Sequence, residues 1–89
     1  MEIKIRKLSE EEIESMGVRS WPVWEKEASK FDWHYDTAEE CYLLEGRVKV
    51  TPGTGDPAEF GAGDFVRFPA GLSCVWEIFE DVRKHYRFQ

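Results

Sequence analysis

The chain contains no asparagine and one glutamine, Gln89. Depletion of heat-labile amides is what a thermophilic source would leave in a sequence. Cysteine is scarce. Cys41 and Cys74 are too few for a disulfide scaffold, so both are expected as buried free thiols in a reducing cytosol. No apolar run approaches the roughly 20 residues that a membrane-spanning helix needs. The opening residues Met1 to Ile5 alternate polar and apolar instead of forming a signal-peptide block, so a cytoplasmic location is expected. Basic residues are outnumbered, 12 against 18 acidic, and the formal charge is −6. That balance repels phosphate backbones and anionic lipid heads, so neither nucleic acid nor membrane is an expected partner. A Gly-rich phosphate loop, a Gly-x-Ser-x-Gly elbow and a Cys-x-x-Cys pair are all missing. Those absences exclude the nucleotide, serine-hydrolase and thioredoxin-type chemistries that depend on them.

Eighty-nine residues make a single domain, 1–89, because a chain this short cannot divide into two cores. Aromatics are 15% of the residues, and large rings fill a small core efficiently. Residues 2–7 alternate as a short strand. Ser9 and Glu12 have capping-box spacing, Leu8 and Ile13 suit a hydrophobic staple, and Gly17 can end the turn, so the spacing predicts a helix over 10–16. Trp21-Pro22-Val23-Trp24 cannot lie inside a helix and is expected to cover an open face or edge of the body. From residue 31 the pattern is β. Phe31, Trp33 and Tyr35 share a face, and residues 40–51 form a strand with Gly46 at a bend or bulge. Short strands follow at 58–60, 65–68, 74–79 and 82–88, punctuated by Gly and Pro. This punctuation predicts an all-β sandwich or closed barrel.

Two stretches carry more specific spacing. Glu39 stands seven residues before Gly46, and Gly63-Asp64-Phe65-Val66-Arg67-Phe68-Pro69-Ala70-Gly71 follows the order Gly, five residues, Pro-x-Gly. In these motifs the chain resembles the cupins over about 31–88, with 1–30 as an N-terminal strand, helix and covering segment. The resemblance implies a double-stranded β-helix, a jelly-roll barrel. Cys41-Tyr42-Leu43-Leu44-Glu45-Gly46, Cys74-Val75-Trp76-Glu77 and Val82-Arg83-Lys84-His85-Tyr86 look closer to one branch. That branch is the short single-domain cupins grouped with the cupin domains of (S)-ureidoglycine aminohydrolase, and the whole chain is similar to its small thermophile members.

Enzymes of this fold hold a divalent metal with imidazoles and a carboxylate. The resemblance places the His-x-His pair on Trp33 and Tyr35, the motif glutamate on Glu39, the second-motif histidine on Cys74 and the asparagine on Ile78. A register that instead offers Asp32 and His34 would turn Trp33 and Tyr35 outward. No cofactor is therefore expected. Were a metal bound, Glu39, Cys74 and Cys41 would be its ligands, and two thiols with a carboxylate can hold zinc. The simpler expectation is an aromatic mouth lined by Trp33, Tyr35, Glu39, Cys41, Phe68, Cys74, Trp76 and Tyr86. Glu39 should then meet Arg67, a tyrosine hydroxyl, a ligand or water, because a lone buried carboxylate is costly. His85, among Arg83, Lys84 and Arg87, is expected to be exposed.

The function these residues suggest first is metal-independent binding of a small molecule. One alternative is a metal-dependent enzyme related to (S)-ureidoglycine aminohydrolase. Another is an interaction module, with Trp21 and Trp24 packed between the subunits of a homodimer joined through sheet edges. The sequence does not decide whether the chain is an enzyme.

Overall fold

The computed structural model describes residues 2–89. Its elements are β1 (Lys4–Lys7), α1 (Glu10–Met16), a 3₁₀ turn (Val18–Ser20), β2 (Val23–Lys26), β3 (Ser29–His34), β4 (Glu39–Pro52), β5 (Ala58–Gly61), β6 (Asp64–Phe68) and β7 (Ser73–Phe88). The helix follows the sequence reading closely. The Glu12 amide donates to the Ser9 hydroxyl, and the Ser9 amide donates back to the Glu12 carboxylate, each at 3.1 Å. Gly17 closes the helix at φ 69°, and its N–H donates to the Glu14 and Ile13 carbonyls.

Two long strands organise the rest. All pairings are antiparallel, in the order β1-β6-β4-β7-β2, with β3 also on β7 and β5 also on β4. The first half of β4 pairs with β6 and its second half with β5, while β7 pairs with β3 and then with β2. The β4–β7 ribbon thus runs through both halves of a jelly roll and bends between them. One core joins the halves: Cys41 and Leu43 from the start of β4, Val48 and Val50 from its end, Cys74, Trp76, Ile78 and Val82 from β7. A second, smaller cluster of Ile13, Val18, Trp21 and Phe65 seats the helix against the outside of the sheet.

The bend has a local cause. Gly46 sits at φ 114°, and a Cβ there would lie 2.9 Å from the Asp81 carbonyl oxygen. Only glycine lets the backbone of β7 pass this close. The β4–β7 register shifts between Leu43 and Val48. Accordingly the buried side changes phase on β4, from Glu39, Cys41 and Leu43 to Val48 and Val50. That slip is what a bulge does to a period of two.

One expectation fails here. Residues 73–88 are a single strand, not two: β7 stays paired with β4 at Glu80, opposite Arg47, although the register shifts there, and Gly46 makes room for the bend. On β7 the exposed Glu80 interrupts the inward face at the bend, and the same parity resumes after it. Cys74, Trp76, Ile78, Val82 and Lys84 are all buried, and all are even-numbered.

Candidate functional site

Beyond its bend, β7 delivers a lysine into the barrel. Lys84 follows Trp76 and Val82 on the inward face, and its side chain is 5% exposed. Its Nζ donates to Glu39 Oε2 at 2.8 Å, and the Glu39 side chain is itself only 6% exposed. The ammonium lies 4.7 Å from the Trp76 ring centroid and 4.9 Å from that of Trp24. Ring faces attract a cation most when water is excluded, so the rings help offset the desolvation of the ammonium. An ammonium carries three N–H donors. Among the described residues, Glu39 is the one acceptor its Nζ meets.

Above this pair opens a half-enclosed cavity of about 170 Å³. β3 contributes Phe31 and Trp33, with Tyr35 just beyond its end; β2 contributes Trp24; β7 contributes Trp76, Tyr86 and Phe88. Phe31 stacks over Trp76 with planes 14° apart, and Trp24 meets Trp76 edge-on. Tyr35 stacks on Phe68 at 4.6 Å, and its hydroxyl accepts from Trp76 Nε1 at 3.1 Å. Burial drives the Tyr35 hydroxyl far above its ordinary range, with the neighbouring Glu39 charge adding to the effect. At neutral pH it remains a hydrogen-bond donor.

Of the residues singled out in the sequence, Trp33, Tyr35, Glu39, Trp76 and Tyr86 meet around this cavity. Phe68 lies behind it as the support for Tyr35, fully buried. Cys41 is enclosed in the core, and Cys74 lies along a separate groove with His34 and Ser73. Glu39 does not meet Arg67, which pairs alongside Glu40 on the opposite side of the strand. Its partner is Lys84, which the sequence reading left among the basic residues of an outer strand. Extending the alternation from Trp76 without a break would have found it. His85 is also corrected: it is buried, and its Nδ1 lies 2.9 Å from the Trp21 carbonyl oxygen. It belongs to the seat of the covering segment, with Arg87 stacked 4.4 Å over the Trp21 ring. Cys74 and His85 stand near opposite ends of β7, so no thiol–imidazole pair forms.

The residues do not fit a metal ion. No group of three or more His, Cys, Asp and Glu side chains placed to hold a metal occurs among the described residues. The inherited carboxylate is already matched by an internal cation 2.8 Å away, and a divalent ion beside Lys84 would face direct repulsion. Burial pushes the Cys41 thiol up to about 12 and the Cys74 thiol up to about 11. Both therefore stay protonated near neutral pH, whereas a thiol nucleophile must be thiolate.

A second constellation lies outside the barrel. His34 Nδ1 is 2.7 Å from Ser73 Oγ, and His34 Nε2 is 3.6 Å from Asp36 Oδ1. The order resembles a nucleophile triad, but the Asp36 side chain is 95% exposed and beyond hydrogen-bond distance. Nothing orients the imidazole, which is the third group's role in such a triad.

Comparison with known proteins agrees with this architecture. A crystal structure of a DUF861 family protein from Thermotoga maritima superposes with a TM-score of 0.97 at 50% identity, covering 99% of this chain and 100% of that one. The Clostridium difficile EutQ protein matches at TM-score 0.67 and 20% identity, over 74% of this chain and 52% of that one. A putative ethanolamine utilization protein Q from Salmonella typhimurium matches at 0.66 and 26%, over 74% and 53%. No curated protein matches the chain. The EutQ-like cupin domain matches residues 13–86, and the chain belongs to that family of cupins.

Proposed function

We propose that this cupin binds a small molecule without a metal, and that its ligand is ring-sized, mostly apolar, neutral, and equipped with a hydrogen-bond acceptor. One observation carries the reading: a cavity of about 170 Å³, walled by aromatic rings, has a closed Glu39–Lys84 ion pair at its floor. A dry apolar cavity of about 150 Å³ is enough to admit benzene, which sets the scale of the occupant. The floor is neutral as a pair, so a charged ligand would leave an uncompensated buried charge, whereas a neutral one would not. The remaining Lys84 N–H groups and the Tyr35 hydroxyl can each donate to an acceptor on the ligand.

The motif resemblance to (S)-ureidoglycine aminohydrolase points to a metal enzyme instead, and the donor set described above gives that alternative no support. The interaction-module alternative would use Trp21 and Trp24 as its anchors. Trp21 is buried against the helix, and Trp24 packs on Trp76.

The test is a thermal-unfolding panel of benzyl alcohol, phenol, benzamide and benzoate, followed by indole Nε1 NMR shifts. A neutral member at a hundredfold excess over its dissociation constant should stabilise the fold by about 2.7 kcal/mol, or roughly 11–22 °C at about 4–8 °C per kcal/mol for a domain of this size. Benzoate should do less than benzamide. If no neutral member moves either the melting temperature or the Trp24 and Trp76 resonances at millimolar concentration, the proposal is wrong.

A further inference from the structure

We propose that Lys84 is a covalent carbonyl-capturing residue, forming an imine with a ring-sized aldehyde or ketone seated in the aromatic cavity; this rests on the binding reading above. The groups required for that step are assembled. The lysine nitrogen lines the cavity and is flanked by the rings of Trp24 and Trp76, so a flat molecule between the walls would present its edge to Nζ. Glu39 Oε2, at 2.8 Å, is placed to take the proton that the amine must lose before it can attack. Tyr35 accepts from Trp76 and keeps its own hydroxyl proton for the carbonyl oxygen.

The step balances within these groups. Glu39 takes one proton from the ammonium, and the nitrogen lone pair forms a bond to the carbonyl carbon. The carbonyl π bond breaks onto oxygen, which takes a second proton from the nitrogen by way of the Tyr35 hydroxyl and becomes a hydroxyl. The proton held by Glu39 then passes to that hydroxyl, and the carbon–oxygen bond breaks to release water as the carbon–nitrogen double bond forms. The iminium carries the single positive charge that the ammonium carried, so it remains paired with Glu39 and faced by the two rings. No oxidant, reductant or metal takes part.

The experiment incubates the intact protein with benzaldehyde and sodium cyanoborohydride and maps the reduced adduct by peptide mass spectrometry. The five other lysines, Lys4, Lys7, Lys26, Lys30 and Lys49, serve as internal controls. Lys84 should be modified at least about tenfold faster than any of them, because the aromatic cavity holds the aldehyde beside its Nζ. Benzyl alcohol, which fills the same space without a carbonyl, should suppress labelling at Lys84 and leave the others unchanged. Glu39→Gln should slow labelling at position 84, and Lys84→Arg should abolish it. Labelling spread evenly over all six lysines, or none at Lys84 while benzyl alcohol still binds, would overturn the covalent role and leave the binding reading standing. Absence of benzyl alcohol binding strikes at the binding reading itself. Even if the variants fail to fold, the wild-type peptide map decides the question.

Discussion

Lysine 84 and glutamate 39 each lose nearly all of their water on folding, and each depends on the other to make that loss tolerable. Deleting one partner strands a buried charge, which typically costs about 3–5 kcal/mol, whereas replacing both with apolar groups of similar volume is often close to neutral. Lys84→Met should therefore lower the unfolding free energy by about 3–5 kcal/mol in urea titrations. Glu39→Leu/Lys84→Met should recover most of it. Recovery should stop short of complete, because the ammonium also faces the Trp24 and Trp76 rings, contacts worth about 0.5–2 kcal/mol each. A single-variant cost below about 1 kcal/mol would place the pair in the regime of surface ion pairs and contradict its burial.

At the level of elements, the β4–β7 ribbon depends on its one crossing point. Gly46→Ala places a methyl group 2.9 Å from the Asp81 carbonyl oxygen and from Val82 Cγ2, at a φ of 114° that L-residues rarely adopt. Both strands are long and central, so relief would require moving the ladder itself. A loss of at least about 2–3 kcal/mol in chemical denaturation is expected, from strain and overpacking together. A change near zero would mean the bulge can be redistributed along β4. The sequence already marked this residue as a bend, and it marked the capped helix and the ring face of Phe31, Trp33 and Tyr35. In each case the signal was local: a fixed spacing of polar caps, a glycine, or a period of two. Lys84 and His85 were misplaced for the opposite reason. Their environment depends on a strand phase carried through Glu80-Asp81 from Trp76, and on Trp21 folding back from sixty-four residues away. Lysine and histidine flanked by arginines read locally as a solvated strand, and only the tertiary register turns Lys84 inward. The same dependence hid the partner of Glu39, since an ion pair spanning forty-five residues leaves no trace in spacing.

For the molecule as a whole, burial of ionisable acids in one core ties global stability to alkaline pH. The Cys41 thiol moves from an ordinary value of 9.0 to about 12, chiefly by burial, with Lys84 pulling the other way. The Cys74 thiol moves from 9.0 to about 11, also by burial. Tyr35 moves upward from 10.0 for the same leading reason. In each case the folded state holds its proton more tightly than the unfolded chain. The corresponding stability is fully present below the unfolded value of 9.0 and declines as pH rises towards the folded values near 11 and 12. Each thiol should remove about 1.4 kcal/mol per pH unit in that window, and Tyr35 should steepen the fall from about 10 upward. Urea titrations at successive pH values should thus show a flat plateau at neutral pH and a slope of roughly 2–3 kcal/mol per unit between about 9 and 11. Cys41→Ala should lower the plateau, because it leaves a cavity, and yet flatten the slope, because one of the linked protons is gone. Thiol-reactive probes supply an independent check: labelling of Cys41 in the native protein should track the population of open molecules and accelerate along the same pH profile. Labelling that is rapid at neutral pH, where the fold is most stable, would mean the core admits solvent at Cys41 and that its proton is not held by burial.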